Sequence, residues 1–473
     1  MAGRPSTYAT PAALKAALQA EARRLGFAAV GVAAAEPLFD LAALLRLRQE
    51  RAMATPWEDP DPARRSDPAS LLPGARSVVA VAMAYDPPRA AAQAGERAVP
   101  GDGDANGWRG PDPSRPDPAR QDPDRSRRRP EPPGEVALRG YVAAAGRTRS
   151  YQHVMRRRLE ALGRWLEAAV PGCRWAVQVD TGPLVDRAWA ERAGIGWIGK
   201  NACVIVPGRG SWVFLGELVT DVALPPDQPL ADACGDCDLC LRACPTGAFL
   251  GPRQLDPRRC VSFLSQKPGM LDPDERAALG QSLYGCDACQ VVCPYNRGAG
   301  PGHPALRPAA FWGTGPADEP APAGEGNAGT AGSEAASAGP DGTGDSPVAP
   351  DLVALLRMGR ADFRRRYRSL TGAWRGRKTW QRNAVVALGN RGAAARAAVS
   401  VLAELLRADP RPDMRALAAW ALGRIGGGAA RQALAGVLER EADHRVRAAV
   451  REALARMGGD PGDPAGHAVR PVP

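Results

Sequence analysis

In "CGDCDLCLRACPTGA" the residues Cys234, Cys237, Cys240 and Cys244 stand two, two and three residues apart, with Pro245 behind the last. Thiolates at this spacing are the ligands of a bacterial-type 4Fe-4S cluster, and the fourth cysteine of such a run serves a second cluster. The second half is split. Cys260 stands apart, and "CDACQVVCP" supplies Cys286, Cys289 and Cys293. Exchanging the fourth ligands predicts one cluster on Cys234, Cys237, Cys240 and Cys293, and another on Cys244, Cys260, Cys286 and Cys289. Paired zinc ions also accept four thiolates, but the spacing and the trailing proline select iron–sulfur. Two such clusters pass single electrons in sequence. Their spacing does not name the acceptor.

A second block lies upstream, "VDTGPLVDRAWAERAGIGWIGKN", residues 179–201. Asp180 follows the strand-like "RWAVQV". A carboxyl at a strand end, desolvated by apolar walls, keeps its proton and can donate it. An aspartate before Thr-Gly is also a common turn former, and the residues alone favour that plainer role. "GIGWIG" fits a dinucleotide fingerprint, and "GIGWIGKN" comes close to a phosphate loop. Both need a strand before and a helix after, and here the order is reversed. The glycines are better read as letting backbone approach a bulky flat ligand.

These groups need elements to hold them. "PAALKAALQAEARRLG" carries apolar residues at helical spacing and a glycine stop. "FAAVGVA" and "ARSVVAVAMAY" read as strands, the second buried. "YQHVMRRRLEALGRWLEAAV" reads as a helix, and "ACVIVP" and "SWVFLGELVT" as further strands. The expected architecture is multidomain α+β. An α/β domain at 11–230 carries a Pro-, Asp- and Arg-rich insertion at 86–135, predicted to be disordered. A two-cluster ferredoxin-like domain follows at 231–312 and a flexible linker at 313–350. In the tail, "AVVALGNRG", "LAAWALGRIG" and "AVREALARMG" end at Gly392, Gly426 and Gly458. That period predicts a HEAT-like α-solenoid over 351–459, with a disordered end at 460–473.

Charge is distributed unevenly. The chain is +11 overall, yet residues 351–473 hold 23 Lys+Arg against 11 Asp+Glu, so the rest is close to neutral. A basic domain beside a neutral core is the footprint of a polyanion. Arg382, Arg415, Arg445 and Arg447 are expected to open successive second helices and stack into one basic, phosphate-reading stripe. No apolar run of membrane-spanning length appears, and the start of the chain shows no export signal. Eight of the ten cysteines fall in cluster spacing, which suits a reducing cytoplasm rather than a disulfide protein. Cys173 and Cys203 are left as buried thiols.

The blocks "VDTGPLVDRAWAERAGIGWIGKN", "SWVFLGELVTDVALPPDQP", "CGDCDLCLRACPTGA", "LDPRRCVSFLSQ" and "YGCDACQVVCPYNR" resemble the epoxyqueuosine reductases in sequence and in order. "RRSDPASLLPGARSVV" resembles that family's N-terminal signature. The resemblance implies reduction of an epoxide on a modified tRNA wobble base, the last step of queuosine synthesis. It implies cobalamin (as cob(II)alamin) and two 4Fe-4S clusters as cofactors, with Asp180 as proton donor. It implies cobalamin contacts from Arg65, Asp180, Lys200, Asn201, Ser211, Ser262 and Asp287. The expected partners are a tRNA carrying epoxyqueuosine and an external electron donor, with the enzyme a cytoplasmic monomer and no membrane involved. Two departures stand out: "SYQH" at 150–153 replaces the family's Asp-Tyr-His, and "CPYN" replaces "CPWN". A corrinoid reductive dehalogenase is the alternative, but those enzymes carry a twin-arginine export signal that is not seen here. A ferredoxin-like carrier without catalysis would not need so large a domain ahead of its cysteines.

Overall fold

A computed structural model describes residues 7–88, 138–307 and 349–458. The insertion expected at 86–135, the linker at 313–350 and the tail at 460–473 fall almost wholly outside these residues.

The first domain is built on one four-stranded sheet. Its order is Ala29–Ala34, Ser77–Ala84, Val213–Thr220, Trp175–Gln178, with every neighbouring pair antiparallel. The strand Ser77–Ala84 is buried along its whole length because both faces are covered. Val79, Val81 and Met83 point to the helices Pro11–Arg24 and Tyr151–Ala169. Val78, Ala80 and Ala82 point the other way, toward Trp189 on the helix Asp186–Arg192. Period-two alternation thus serves two apolar layers at once. Thr10 caps the first helix by accepting from Ala13 N at 3.1 Å, which satisfies one of the orphan amides of its first turn.

The tail is a stack of helices: Gly376–Arg391, Val399–Ala408, Pro412–Ile425, Gly428–Leu438 and His444–Gly458. Gly392 and Gly426 stop two of them at φ 54° and 71°, in the left-handed region that glycine enters without steric cost. Gly389 lets successive helices approach, since a Cβ there would lie 2.3 Å from the Trp420 ring.

The cluster module and the solenoid are not separate bodies. Val261, Leu264, Leu279 and Leu283 share one apolar core with Leu352, Trp380, Val385 and Leu402. Trp380 donates from Nε1 to Gly372 O at 2.8 Å, so its polar end is satisfied inside that core.

This packing corrects the basic stripe. Arg382 is 4% exposed. Its Nη1 donates to Lys267 O and Gly269 O, each at 2.6 Å, and its Nη2 lies 3.3 Å from Leu264 O. A guanidinium that answers backbone carbonyls of the cluster module has no donors left for phosphate. Arg415 is clamped bidentately by Glu441 at 2.8 Å. Arg447 donates to Glu441 O and Ala442 O. Arg445 is exposed but paired with Asp413 and Asp443. Arg382 ties the solenoid to the cluster module, while Arg415, Arg445 and Arg447 brace the repeats, so the four do not stand in one open phosphate-binding row.

Candidate functional site

The eight cluster cysteines fall into two neighbourhoods. Burial pushes the Cys293 thiol up to about 12, and Cys240, Cys234 and Cys237 add to the shift. Cys286 is likewise pushed up to about 12 by burial, with Cys260 and Cys244 beside it. Cys289 is raised by Cys203, by burial, and by Cys286 and Cys260. Thiols crowded this way hold their protons until a cation replaces them. Cys293 thus lies near the Cys234 run and Cys244 near the split set, the neighbourhoods that exchanged fourth ligands would need. Ala248 N donates to Cys244 Sγ at 3.3 Å, a backbone contact suited to a ligating sulfur.

The "GIGWIGKN" turn packs on the first of these sets. Trp197 and Ile205 form an apolar patch with Cys293, bordered by Cys234 and Tyr295. Lys200 Nζ donates to Gly235 O. This segment therefore meets the cluster loop itself. A Cβ at Gly196 would lie 2.5 Å from Ile205 O, so the close approach this glycine allows is to the chain's own strand.

The joint between the sheet domain and the cluster module is polar. Ser211 Oγ is 3.0 Å from Gln290 Oε1, and Asn296 Nδ2 donates to it at 2.9 Å. Asp287 accepts from Tyr141 Oη at 2.6 Å and from Ala144 N at 2.8 Å. Ser211 and Asp287 are both buried and both bind the domains to each other. Ser262 is half-buried at the start of the helix Val261–Gln266 beside Cys260. Asn201 is buried, with Oδ1 accepting from Cys203 N and Nδ2 without a partner. Arg65 pairs with Glu58 at 2.5 Å and Arg48 lies 3.4 Å from the same carboxylate. Arg187 faces Arg48, Cys203, Glu58 and Arg65, and burial pushes its guanidinium below the usual range.

Asp180 stands in the open beyond this joint. It is exposed, and its φ of 57° is left-handed for a residue with a side chain. Thr181 N closes a three-residue turn onto Val179 O at 2.6 Å. Such a turn costs of order 1–3 kcal/mol and persists where surrounding contacts hold it. Asp186 Oδ2 accepts from Asp180 N at 2.9 Å, and Gln152 Nε2 is 3.4 Å from Asp180 Oδ2. Tyr151 stacks on Phe214 at 3.8 Å. Burial, then the charge of Asp180 and a hydrogen bond to it, pushes the Tyr151 phenol well above its usual range.

Beneath Asp180 lie two more carboxyls. Gln178 Nε2 donates to Asp186 Oδ1 at 2.6 Å and lies 3.4 Å from Glu217 Oε2. Burial and then the charge of Asp180 push Asp186 up to about 6. Burial and then the charge of Asp186 push Glu217 well above the carboxylate range. Sequence reasoning misses both. The available signal is Glu217 itself, the lone ionisable residue in the apolar strand Val213–Thr220.

On the side of the segment Ser150–His153, a cavity of about 550 Å³ is lined by Arg149, His153, Arg364, Arg365 and Arg368. Ser150 N donates to Ser369 O at 3.0 Å, which fixes this wall to the solenoid.

An antiparallel-sheet domain joined through buried polar contacts to eight paired cysteines, with a helical-repeat tail, defines an iron–sulfur oxidoreductase. Residues 233–296 match the 4Fe-4S double cluster binding domain, and residues 377–455 match HEAT repeats. The epoxyqueuosine reductase of Bacillus cereus is 35% identical over 434 residues, 92% of this chain and 94% of its own. That of Bacillus subtilis is 34% identical over 443 residues, 93% and 95% of the two chains. A crystal structure of epoxyqueuosine reductase with an epoxyqueuosine-modified tRNA-Tyr stem loop superposes with a TM-score of 0.73 at 32% identity, covering 94% and 99%. A Bacillus subtilis structure, described as having its catalytic aspartate loop swung out of the active site, gives 0.72 at 31% identity, covering 94% and 99%. The chain belongs to the epoxyqueuosine reductase family.

Proposed function

We propose that this chain reduces epoxyqueuosine to queuosine at the wobble position of tRNA, with Asp180 as the proton donor. The observation that carries this is the placement of Asp180. It is an exposed carboxyl on a strained turn, between the domain joint that leads to the cysteines and a cavity walled by arginines. Relatives at 34–35% identity over more than nine-tenths of the chain favour this substrate over a halogenated one.

The residues of the joint fit cobalamin. Asn201 Nδ2 is a buried donor without an acceptor. Arg48, Arg65 and Arg187 converge on the single carboxylate of Glu58, leaving positive charge that suits a phosphate tail. Corrin amides supply acceptors of the kind Asn201 lacks. A corrinoid cobalt held there, fed by the clusters, would supply low-potential electrons to the epoxide carbons.

The chain's own part is positional. Reducing the epoxide to an alkene takes two electrons and two protons and releases water. The leaving oxygen is a poor leaving group until protonated, so a carboxyl within reach lowers the barrier. The wobble base is reached by flipping it from a loop, where unstacking costs least. Arg364, Arg365 and Arg368 with Arg149 line the wall where the loop phosphates would rest. Among the described residues no helix is long and apolar enough to cross a membrane. A tRNA substrate suits an enzyme of the cytoplasm. An external electron donor would feed the clusters, and every residue named at the site comes from one chain, as a monomer requires.

The test is turnover of epoxyqueuosine-bearing tRNA by purified protein reconstituted with iron, sulfide and cobalamin under a strong reductant. The epoxide should disappear with wild type. It should persist with Asp180→Ala at undiminished iron content and tRNA affinity. A fully loaded wild type without turnover refutes the reading.

A further inference from the structure

The Asp180 turn needs something to hold it, and the holder is unusual. Its amide is gripped by Asp186, which shares the Gln178 side-chain amide with a second carboxyl, Glu217, in the floor of the domain. Asp186 accepts from Asp180 N at 2.9 Å and from Gln178 Nε2 at 2.6 Å. Gln178 Nε2 is shared between Asp186 Oδ1 at 2.6 Å and Glu217 Oε2 at 3.4 Å, which sets the two carboxyls side by side, where one shared proton would relieve their repulsion. Glu217 is 0% exposed, and its Oε1 has no hydrogen-bond partner.

The surroundings do not supply a cation. The helix Asp186–Arg192 packs on the strands Ala29–Ala34, Ser77–Ala84, Trp197–Ile198 and Val204–Ile205, none of which carries an ionisable side chain. On its fifth neighbour, Val213–Thr220, Glu217 is the one ionisable residue. Arg187, next along the helix, faces Glu58 and Cys203 instead. From the helix Tyr151–Ala169, Arg156 reaches Val177 O at 3.5 Å, and Tyr151 faces Asp180 and Asp186. Tyr284 faces Asp180 from the cluster module. Two carboxyls in such a place cannot both ionise without strong mutual repulsion.

We propose that Asp186 and Glu217 form a one-proton latch whose ionised member grips the Asp180 amide and holds the proton-donating turn in place. The proposal rests on Asp180 being the proton donor. Glu217 keeps the proton and donates it to Asp186. Asp186, as the anion, then has both oxygens free to accept from Gln178 and Asp180. Protonating Asp186 as well weakens its hold on the amide. Ionising Glu217 sets two carboxylates against each other and pushes Asp186 off the turn. Both are positioning residues; neither touches the reacting atoms. A relative whose catalytic aspartate loop has been seen swung out supplies the second position that such a latch would control.

The test is hydrogen exchange of the 179–184 backbone in the full chain, corrected for intrinsic pH dependence, alongside kcat and KM against pH. Asp186→Ala should raise exchange of the Asp180 amide roughly tenfold and cut kcat by about the same factor, with KM for tRNA unchanged. Glu217→Gln keeps a donor to Asp186 and cannot ionise. It should retain the wild-type protection at neutral pH and lose the alkaline opening of the turn. Iron content and circular dichroism check folding, and if Asp186→Ala does not fold, the near-isosteric Glu217→Gln decides. Unchanged exchange in Asp186→Ala, or a wild-type alkaline opening in Glu217→Gln, overturns the latch. Exchange needs no turnover, so a chain that failed to reduce the epoxide would still reveal whether the latch holds the turn.

Discussion

Arg382 and Asn383, neighbours on one buried helix, bind each other before they bind anything else. Arg382 donates from Nε at 2.9 Å and from Nη2 at 2.8 Å to Asn383 Oδ1. Asn383 Nδ2 then donates to Ser265 O at 2.7 Å and Leu283 O at 2.9 Å, while Arg382 takes Lys267 O and Gly269 O. The pair fastens the solenoid to the loops beside Cys260 and Cys286. Arg382→Ala would strand these carbonyls in a low-dielectric joint, at a cost of about 3–5 kcal/mol. Denaturant unfolding should show that loss, and tRNA affinity per folded molecule should stay put. Weakened binding with stability unchanged would restore Arg382 to the phosphate-contacting role.

The phosphate contacts should sit instead on the wall of the arginine cavity. Arg364→Ala and Arg368→Ala should each weaken binding of a tRNA stem loop at low salt, by roughly tenfold. Each should also reduce the slope of log affinity against log salt by about one. Arg445→Ala, already paired with Asp413 and Asp443, should change neither. Binding titrations at several salt concentrations separate the two sets. Equal slopes for all three variants would rule this wall out.

Much of this is legible in the amino-acid sequence. The cysteine spacing announces the double-cluster module that residues 233–296 match, because cluster geometry tolerates few arrangements. The glycines at 392 and 426 announce the helix stops because few other residues enter that conformation cheaply. The strands announce themselves through β-branched runs. What stays hidden depends on contacts far apart in sequence. An arginine expected to open a helix reads as solvated, but Arg382 lies in the middle of Gly376–Arg391, and nothing local says that Lys267 and Gly269, more than 110 residues away, will claim it. Asp186 and Glu217 meet only because Val213–Thr220 pairs with Trp175–Gln178. Asp180 is legible as a candidate, but its left-handed turn and its holder are not.

The exchange of fourth ligands that the spacing predicts carries its own test. Cys293→Ser removes a ligand from the set built on Cys234, Cys237 and Cys240, although Cys293 lies next to the other set in sequence. Reconstituted iron should fall from about eight atoms to about four per chain, with one cluster signal remaining by electron paramagnetic resonance. Cys244→Ser should remove the other cluster and leave its complement. Cys203→Ser, at a thiol near Cys289 that belongs to neither set, should keep the full iron content. Loss of the same cluster signal in Cys293→Ser and Cys244→Ser would refute the exchange.

The buried carboxyls also set how stability depends on pH. Asp186 is pushed up to about 6 and Glu217 well above its usual range, both first by burial. A carboxyl whose folded pKa is raised binds its proton more tightly folded than unfolded. Its stabilising effect is therefore full below the unfolded value near 4 and is lost as pH climbs through the folded one. For Asp186 that window runs from about 4 to just above 6. For Glu217 it extends further up. The wild-type chain should therefore lose stability on the alkaline side of about pH 5, by up to ~2 kcal/mol for Asp186 if its shift is discounted for partial exposure. Glu217→Gln carries no proton to lose, so its thermal midpoint should exceed that of wild type at pH 8.5 and converge with it at pH 5. Scanning calorimetry of both chains across that range would show it. A Glu217→Gln midpoint below wild type at pH 8.5 would mean that Glu217 is ionised in the folded protein, with a cation beside it that the fold does not show.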